Sequence, residues 1–134
     1  MYALGRQVLV EFYQCAEDIL NDAPRLREIL LEGVRRSGAT IVSDTIHTFN
    51  PYGVSGVVVI AESHVSLHTW PEYGYAAVDI FTCGDIIDPW ATQAYLADCL
   101  QAGSVSSMEL KRGLFPSLVH HKPLPEQVEG QADE

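Results

Sequence analysis

The chain reads as an α+β protein: a two-layer sandwich in which a mostly antiparallel sheet carries two main helices on one face. Three observations predict this: several β-branched runs of strand length, two helical stretches with recognisable caps, and the order strand, helix, three strands, helix, strand. No internal repeat interrupts that order.

Gln7 to Tyr13 (QVLVEFY) is the first strand. Asn21-Asp22-Ala23-Pro24 then supplies a capping residue and a first-turn proline. Leu26, Ile29, Leu30 and Val34 follow at helical spacing, and Gly38 stands where a helix stops. Thr40 to Phe49 alternates as a strand, closed by the turn Asn50-Pro51-Tyr52-Gly53. Val57 to Thr69 is a second long extended run and Tyr75 to Thr82 a third, joined across Trp70-Pro71-Glu72-Tyr73-Gly74. Asp88-Pro89 opens another helix with Trp90, Ala94, Ala97 and Leu100 along one side, ending at Gly103. Met108 to Leu110 is a final short strand.

At 134 residues the chain is expected to hold one domain, residues 1–118, followed by a flexible tail, 119–134, rich in acids and proline. Three cysteines (Cys15, Cys83 and Cys99) make neither a disulfide framework nor a four-ligand zinc site. A net charge of −10 disfavours nucleic acid and anionic membrane as partners. No apolar run reaches membrane-span length, and the N-terminus lacks the features of a secretory leader, so a cytoplasmic location is expected. The run from Val57 is apolar at odd positions (Val57, Val59, Val65, Leu67) and at even ones (Val58, Ile60), so both sheet faces are expected to be covered. Helices cover one face; a second copy of the chain is expected on the other.

Polar chemistry concentrates between Ala61 and Gly84. A serine in a strand is ordinarily a hydrogen-bonded bystander, and a lone cysteine such as Cys83 a small buried hydrophobe. His64 and His68 stand roughly 13 Å apart on a strand at about 3.3 Å per residue, too far to share a metal ion. A Ser-His-Asp hydrolase fits poorly, because Ser63 is not on a strand-to-helix elbow. A hairpin folded about Glu72 pairs Ser63 with Phe81 and Cys83 with Ala61. Ser63 and Cys83 then become same-face diagonal neighbours, roughly 7–8 Å apart. In that register His68 points to the opposite face, and a partner chain is the expected source of any His68 acting on Ser63.

The stretch AESHVSLHTWPEYGYAAVDIFTCG resembles the processing-site motif of short prokaryotic (bacterial and archaeal) S-adenosylmethionine decarboxylases. Weaker agreement runs from Leu4-Gly5-Arg6 to about Lys111-Arg112-Gly113, and includes Phe49 and Gly53-Val54-Ser55-Gly56. The resemblance implies a self-cleaving proenzyme cut between Glu62 and Ser63 into a β chain (1–62) and an α chain (63–134). Ser63 would become a covalent pyruvoyl group that forms a Schiff base with the substrate amine. It further implies His68 as acceptor of the Ser63 α-proton, Ser55 as an aid to processing, and Cys83 as proton donor in decarboxylation. For S-adenosylmethionine it implies Phe49 against the adenine and Glu72 on the ribose hydroxyls. Trp70 is read first as hairpin packing and second as a substrate contact.

Since the pyruvoyl group does the work that pyridoxal phosphate does elsewhere, neither that cofactor nor a metal is expected. The short forms imply a homodimer of αβ units. Ser63 and Cys83 would come from one chain, and Phe49, Ser55, His68 and Glu72 from the other. Asp79, on an otherwise apolar strand, is expected to meet His47 or a backbone amide; His47, Cys15 and Cys99 read as structural and His64 as a processing-site neighbour. Two other readings stay open: the same chemistry on arginine or ornithine, and an uncleaved regulatory subunit. The pair Phe49 and Glu72 favours a nucleoside, and the intact trio Ser63, His68 and Cys83 favours an enzyme.

Overall fold

The computed structural model describes residues 2–83 and 85–117. The expected tail, the end of the expected domain at 118 and the motif's Gly84 lie outside the described residues. Among these residues six strands form one antiparallel sheet: β1 (Tyr2–Tyr13), β2 (Ile41–Thr48), β3 (Val54–Ile60), β4 (Ser63–Trp70), β5 (Tyr75–Cys83) and β6 (Ser104–Phe115), in the spatial order β2-β3-β4-β5-β1-β6. The described residues also form three helices: α1 (Glu17–Leu20), α2 (Ala23–Arg36) and α3 (Pro89–Cys99). The α+β class and the one-sided helical layer are as the sequence predicts.

The helices start where their caps stand. The Asp22 carboxylate accepts the Arg25 N–H at 3.2 Å and the Asp88 carboxylate the Trp90 N–H at 3.1 Å. Arg35 and Arg36 in the last turn of α2 complement its C-terminal dipole. Leu26, Ile29, Leu30 and Val34 bury one stripe of α2 as their spacing predicts. In α3 the buried stripe is Pro89, Thr92 and Leu96, continuing to Leu100, whereas Trp90 and Ala94 face solvent. A threonine can sit in that stripe because its hydroxyl donates to the Gly33 carbonyl of α2 at 2.8 Å.

Alternation along the strands sorts side chains onto two faces. The helix face gathers Val8, Val10 and Phe12 of β1, Val58 and Ile60 of β3, Val65 and Leu67 of β4, and Ala76, Val78 and Ile80 of β5 into one core. The opposite, open face carries Val57 and Val59, 38% and 42% exposed, together with His64, Ser66 and His68. Apolar residues on both faces are therefore a property of β3; the open face of β4 is polar.

Three expectations need correction. The run Val57 to Thr69 is not one strand but a β3–β4 hairpin turned at Ala61-Glu62, with Ile60 paired to Ser63. That turn holds no Gly, Asn or Pro, so nothing in its composition announces it. The last strand spans twelve residues and pairs with β1 along its length, far beyond Met108 to Leu110. It is an edge strand exposed throughout, so burial has not imposed a clean two-residue period on it. Finally, the β4–β5 loop has four residues, a 3₁₀ turn at Pro71–Tyr73 closed by Gly74 at φ 62°. The hairpin centre thus falls between Glu72 and Tyr73, and the register shifts by one: Ser63 pairs with Thr82, not Phe81.

Candidate active site

The register shift changes which side chains share a face. By ladder position Ser63 belongs with Ile60 and Thr82 on the helix side. Cys83 follows Ala77, Asp79 and Phe81 on the open side, the face that also bears His68. The expected diagonal pairing of Ser63 with Cys83 on one regular face, opposite His68, is therefore wrong. The two are nevertheless brought together, because the Cys83 N–H donates to the Glu62 carbonyl at 3.0 Å and both residues line one pocket of about 330 Å³.

Ser63 has φ 150°, a region that residues bearing a side chain rarely adopt. The hairpin explains it. Two-residue loops match the twist of their strands when the loop residues take positive φ, as in Asn-Gly. Ala61 and Glu62 are not among the positive-φ residues, and the distortion falls on the next one, Ser63. Strain of this kind is of order 1–3 kcal/mol. Glu62 is fixed on both sides: its side chain, 2% exposed, accepts the Thr40 N–H at 3.2 Å, and its carbonyl holds the Cys83 amide. The peptide bond between Glu62 and Ser63 thus joins an anchored residue to a strained one.

Residues missed at the sequence level complete this pocket. Gly5 lets β1 approach: a Cβ there would stand 2.8 Å from the Thr82 carbonyl oxygen and 3.0 Å from the Phe81 ring. A glycine inside a strand signals such an approach, and that signal was present. Arg112, whose guanidinium lies 5.5 Å from the Phe81 ring centre, sits on the part of β6 beyond the expected strand. Thr82 is wholly buried, and its hydroxyl has no hydrogen-bond partner among the described residues.

Next to the pocket a polar chain crosses four strands of the open face. Arg112 donates to Gln7 at 2.6 Å, Gln7 to Asp79 at 2.8 Å, and His64 Nε2 lies 3.1 Å from the other Asp79 oxygen. An ionised carboxylate only accepts, so His64 is the donor. Asp79 meets these two side chains rather than His47 or a backbone amide; His47 packs edge-on against Phe49 at 4.6 Å.

A second pocket, about 420 Å³, lies at the other end of β4 and contains Phe49, Ser55, His68, Trp70 and Glu72. Ser55 and His68 are direct cross-strand partners, with Ser55 Oγ 2.7 Å from His68 Nδ1. The Phe49 loop is closed by its own N–H bond to the Gly53 carbonyl at 2.8 Å and tied to Asn21, whose side chain accepts the Gly53 N–H at 3.0 Å. The buried Thr69 hydroxyl donates to the Leu20 carbonyl at 2.8 Å and accepts the Val54 N–H at 2.9 Å, pinning both strands to α1. Trp70 packs on Tyr75 at 5.3 Å, the hairpin packing expected of it, and also lines this pocket. Tyr52, which the sequence marks only as a turn residue, joins the lining.

The two pockets are separate. Ser63 and His68 lie on one strand five residues apart, roughly 16 Å at about 3.3 Å per residue. Among the described residues no cluster of three or more His, Cys, Asp or Glu could hold a metal ion, and no helix is long and apolar enough to cross a membrane.

An open-faced antiparallel sheet with helices on the other side, and two pockets at opposite ends of a central strand, defines an α+β protein of the two-layer class. Comparisons with known proteins narrow it. A family model for S-adenosylmethionine decarboxylase matches residues 6–113. The chain is similar to S-adenosylmethionine decarboxylase proenzymes of Acidithiobacillus ferrooxidans, 54% identical over 84% of this chain and 85% of the relative, and of Thermosipho africanus, 45% identical over 96% and 99%. The crystal structure of the adenosylmethionine decarboxylase from Aquifex aeolicus superposes with a TM-score of 0.81 at 31% identity, covering 90% of this chain and all of that one. The chain belongs to the S-adenosylmethionine decarboxylase family.

Proposed function

We propose that this chain is a proenzyme that cuts itself between Glu62 and Ser63 and then decarboxylates S-adenosylmethionine, giving the aminopropyl donor for spermidine. The observation that carries the first half is Ser63 itself: a serine at φ 150° directly after a carbonyl polarised by the Cys83 amide. Ser63 Oγ attacks the Glu62 carbonyl carbon, and the peptide nitrogen leaves as the amine of an ester. Removal of the Ser63 α-proton expels the Glu62 carboxylate and leaves a dehydroalanine. Water converts that residue to the pyruvoyl group and releases ammonia. The Cys83 N–H stabilises charge on the Glu62 oxygen during the attack, as an oxyanion donor does. The products are chains 1–62 and 63–134, and residues 1–118 form the single catalytic domain.

His68 is assigned to take the α-proton. For its Nε2 to be a base, Nδ1 must carry the ring hydrogen, and Ser55 Oγ at 2.7 Å is the acceptor that keeps it there. Separation of the two pockets along one strand, together with exposed Val57 and Val59 on the open face, supports a homodimer. Ser63 and Cys83 of one copy would then meet Phe49, Ser55, His68 and Glu72 of the other. An open face made of β-sheet is a surface that a second copy can cover sheet on sheet.

The residues around Ser63 fit a pyruvoyl group: a pocket of about 330 Å³, the Cys83 thiol on its lining and an unpartnered buried hydroxyl at Thr82. Once formed, that group supplies an electron sink for the pair released with CO₂. Cys83 returns a proton to the substrate α-carbon. Phe49 offers a stacking face that is 47% exposed, Glu72 a carboxylate for two ribose hydroxyls, and Trp70 a further wall. An arginine or ornithine substrate would use neither the ring nor the ribose acceptor. Release of CO₂ from carboxyl-labelled S-adenosylmethionine, with none from labelled arginine or ornithine, is the expected result; the reverse preference would overturn the substrate assignment.

A further inference from the structure

Thr82 is the one polar residue in the helix-facing series of β5, after Ala76, Val78 and Ile80. It is 0% exposed, and its hydroxyl has neither a backbone carbonyl nor a side chain as partner among the described residues. Buried hydroxyls elsewhere in this core behave differently: Thr69 and Thr92 both donate to helix carbonyls at 2.8 Å. An orphaned hydroxyl in a packed core is a cost that valine, nearly the same shape, would remove. Its place in the ladder makes sense of the cost. Thr82 is the direct cross-strand partner of Ser63 and lines the same pocket.

The geometry points to Thr82 as a positioning residue for self-cleavage, an inference that rests on the proposed reaction at Ser63. Its hydroxyl is the hydrogen-bond partner available to Ser63 Oγ when that side chain turns toward the Glu62 carbonyl carbon. In the resting chain Ser63 has a backbone φ of 150°, and the Thr82 hydroxyl is unpaired among the described residues. When the nucleophile rotates, Thr82 accepts from or donates to its oxygen and fixes its direction of attack. Thr82 itself forms no covalent bond. Cys83, one residue further on, already binds the Glu62 carbonyl through its amide, so two successive residues of β5 would address the two reacting groups, one the oxygen of the carbonyl and the other the nucleophile.

The test compares newly translated full-length wild type with Thr82→Val, Thr82→Ser and Thr82→Ala, following the appearance of the two fragments by denaturing mass spectrometry. Thermal melting of the uncut Ser63→Ala background, with and without Thr82→Val, is measured alongside. Thr82→Val is expected to slow cleavage at least tenfold while leaving the melting temperature equal or higher, and Thr82→Ser to stay within about threefold of wild type. A purely structural threonine predicts the stability gain with no loss of cleavage rate; cleavage of Thr82→Val at the wild-type rate, with wild type cut normally, overturns this inference alone. If Thr82→Val does not fold, Ser against Ala decides, since they differ only in the hydroxyl, and equal rates overturn it. A wild-type chain that stays intact overturns both this inference and the reaction beneath it.

Discussion

Ser55 Oγ and His68 Nδ1 lie 2.7 Å apart on directly opposed positions of β3 and β4, while the serine that His68 is assigned to serve begins the same strand five residues earlier. The proposed shared site has His68 of one copy act on Ser63 of the other. His68→Ala alone is expected to slow cleavage by about 10²–10⁴, the usual worth of a positioned base. Ser55→Ala, which frees the ring tautomer, should cost about tenfold. Co-expressing His68→Ala with Ser63→Ala should restore fragments from the His68→Ala chain only. Absence of cleavage in the mixture would remove the shared-site assignment.

The Cys83 amide and thiol are predicted to act in different reactions. Alanine keeps the N–H that bonds the Glu62 carbonyl, so Cys83→Ala should still cleave, within about tenfold of wild type. Decarboxylation without the thiol should fall by about 10²–10⁴ per cleaved chain. Normal turnover by the cleaved variant would refute the proton-donor role.

Gly5→Ala would place a methyl group 2.8 Å from a backbone carbonyl, which cannot move aside as a side chain can. Overpacking of this sort costs about 1–3 kcal/mol, or about 3–18 °C in melting temperature for a domain of this size. Because the strained contact is with Thr82, opposite Ser63, cleavage should slow as well. A variant with wild-type melting and cleavage would show that β1 does not shape the pocket.

Burial pushes the Cys15 thiol up to about 11. At pH 8 its thiolate fraction is then roughly a hundredfold below that of an ordinary cysteine, and iodoacetamide should label Cys99 in the folded protein while sparing Cys15. The folded state disfavours the Cys15 thiolate, so its contribution to stability is complete below about pH 9. That contribution declines as pH rises through about 11, because the unfolded chain gives up the proton first. Equilibrium unfolding at pH 8 and pH 10.5, compared with Cys15→Ala, measures this; the same pH dependence in both proteins would contradict it.

Much of the fold was legible because burial enforces pattern. Leu26, Ile29, Leu30 and Val34 repeat at helical spacing since each is pressed against the sheet, and Asp22 and Asp88 announce their helices because a carboxylate satisfies free N–H groups. What escaped was set by turns and edges. Ala61-Glu62 turns the chain without any turn residue, and the resulting positive φ appears one position later, on Ser63. The four-residue loop after Trp70 moved the register by one, which transferred Cys83 to the face of His68 and set Thr82 opposite Ser63. The residue types Ser63, Cys83, Ser55 and His68 could be picked out from a motif; their division into two pockets, and the part of Thr82, depend on a register that the turn composition does not reveal.

Denaturing mass spectrometry of the purified full-length protein tests the central claim most directly. Self-cleavage before Ser63 predicts two species, residues 1–62 ending in a free Glu62 carboxylate and residues 63–134 with an N-terminus that blocks stepwise degradation and carries a reactive ketone. The Ser63→Ala chain should run as one intact species beside them. An intact wild-type chain, or cleavage at any other bond, would contradict the account.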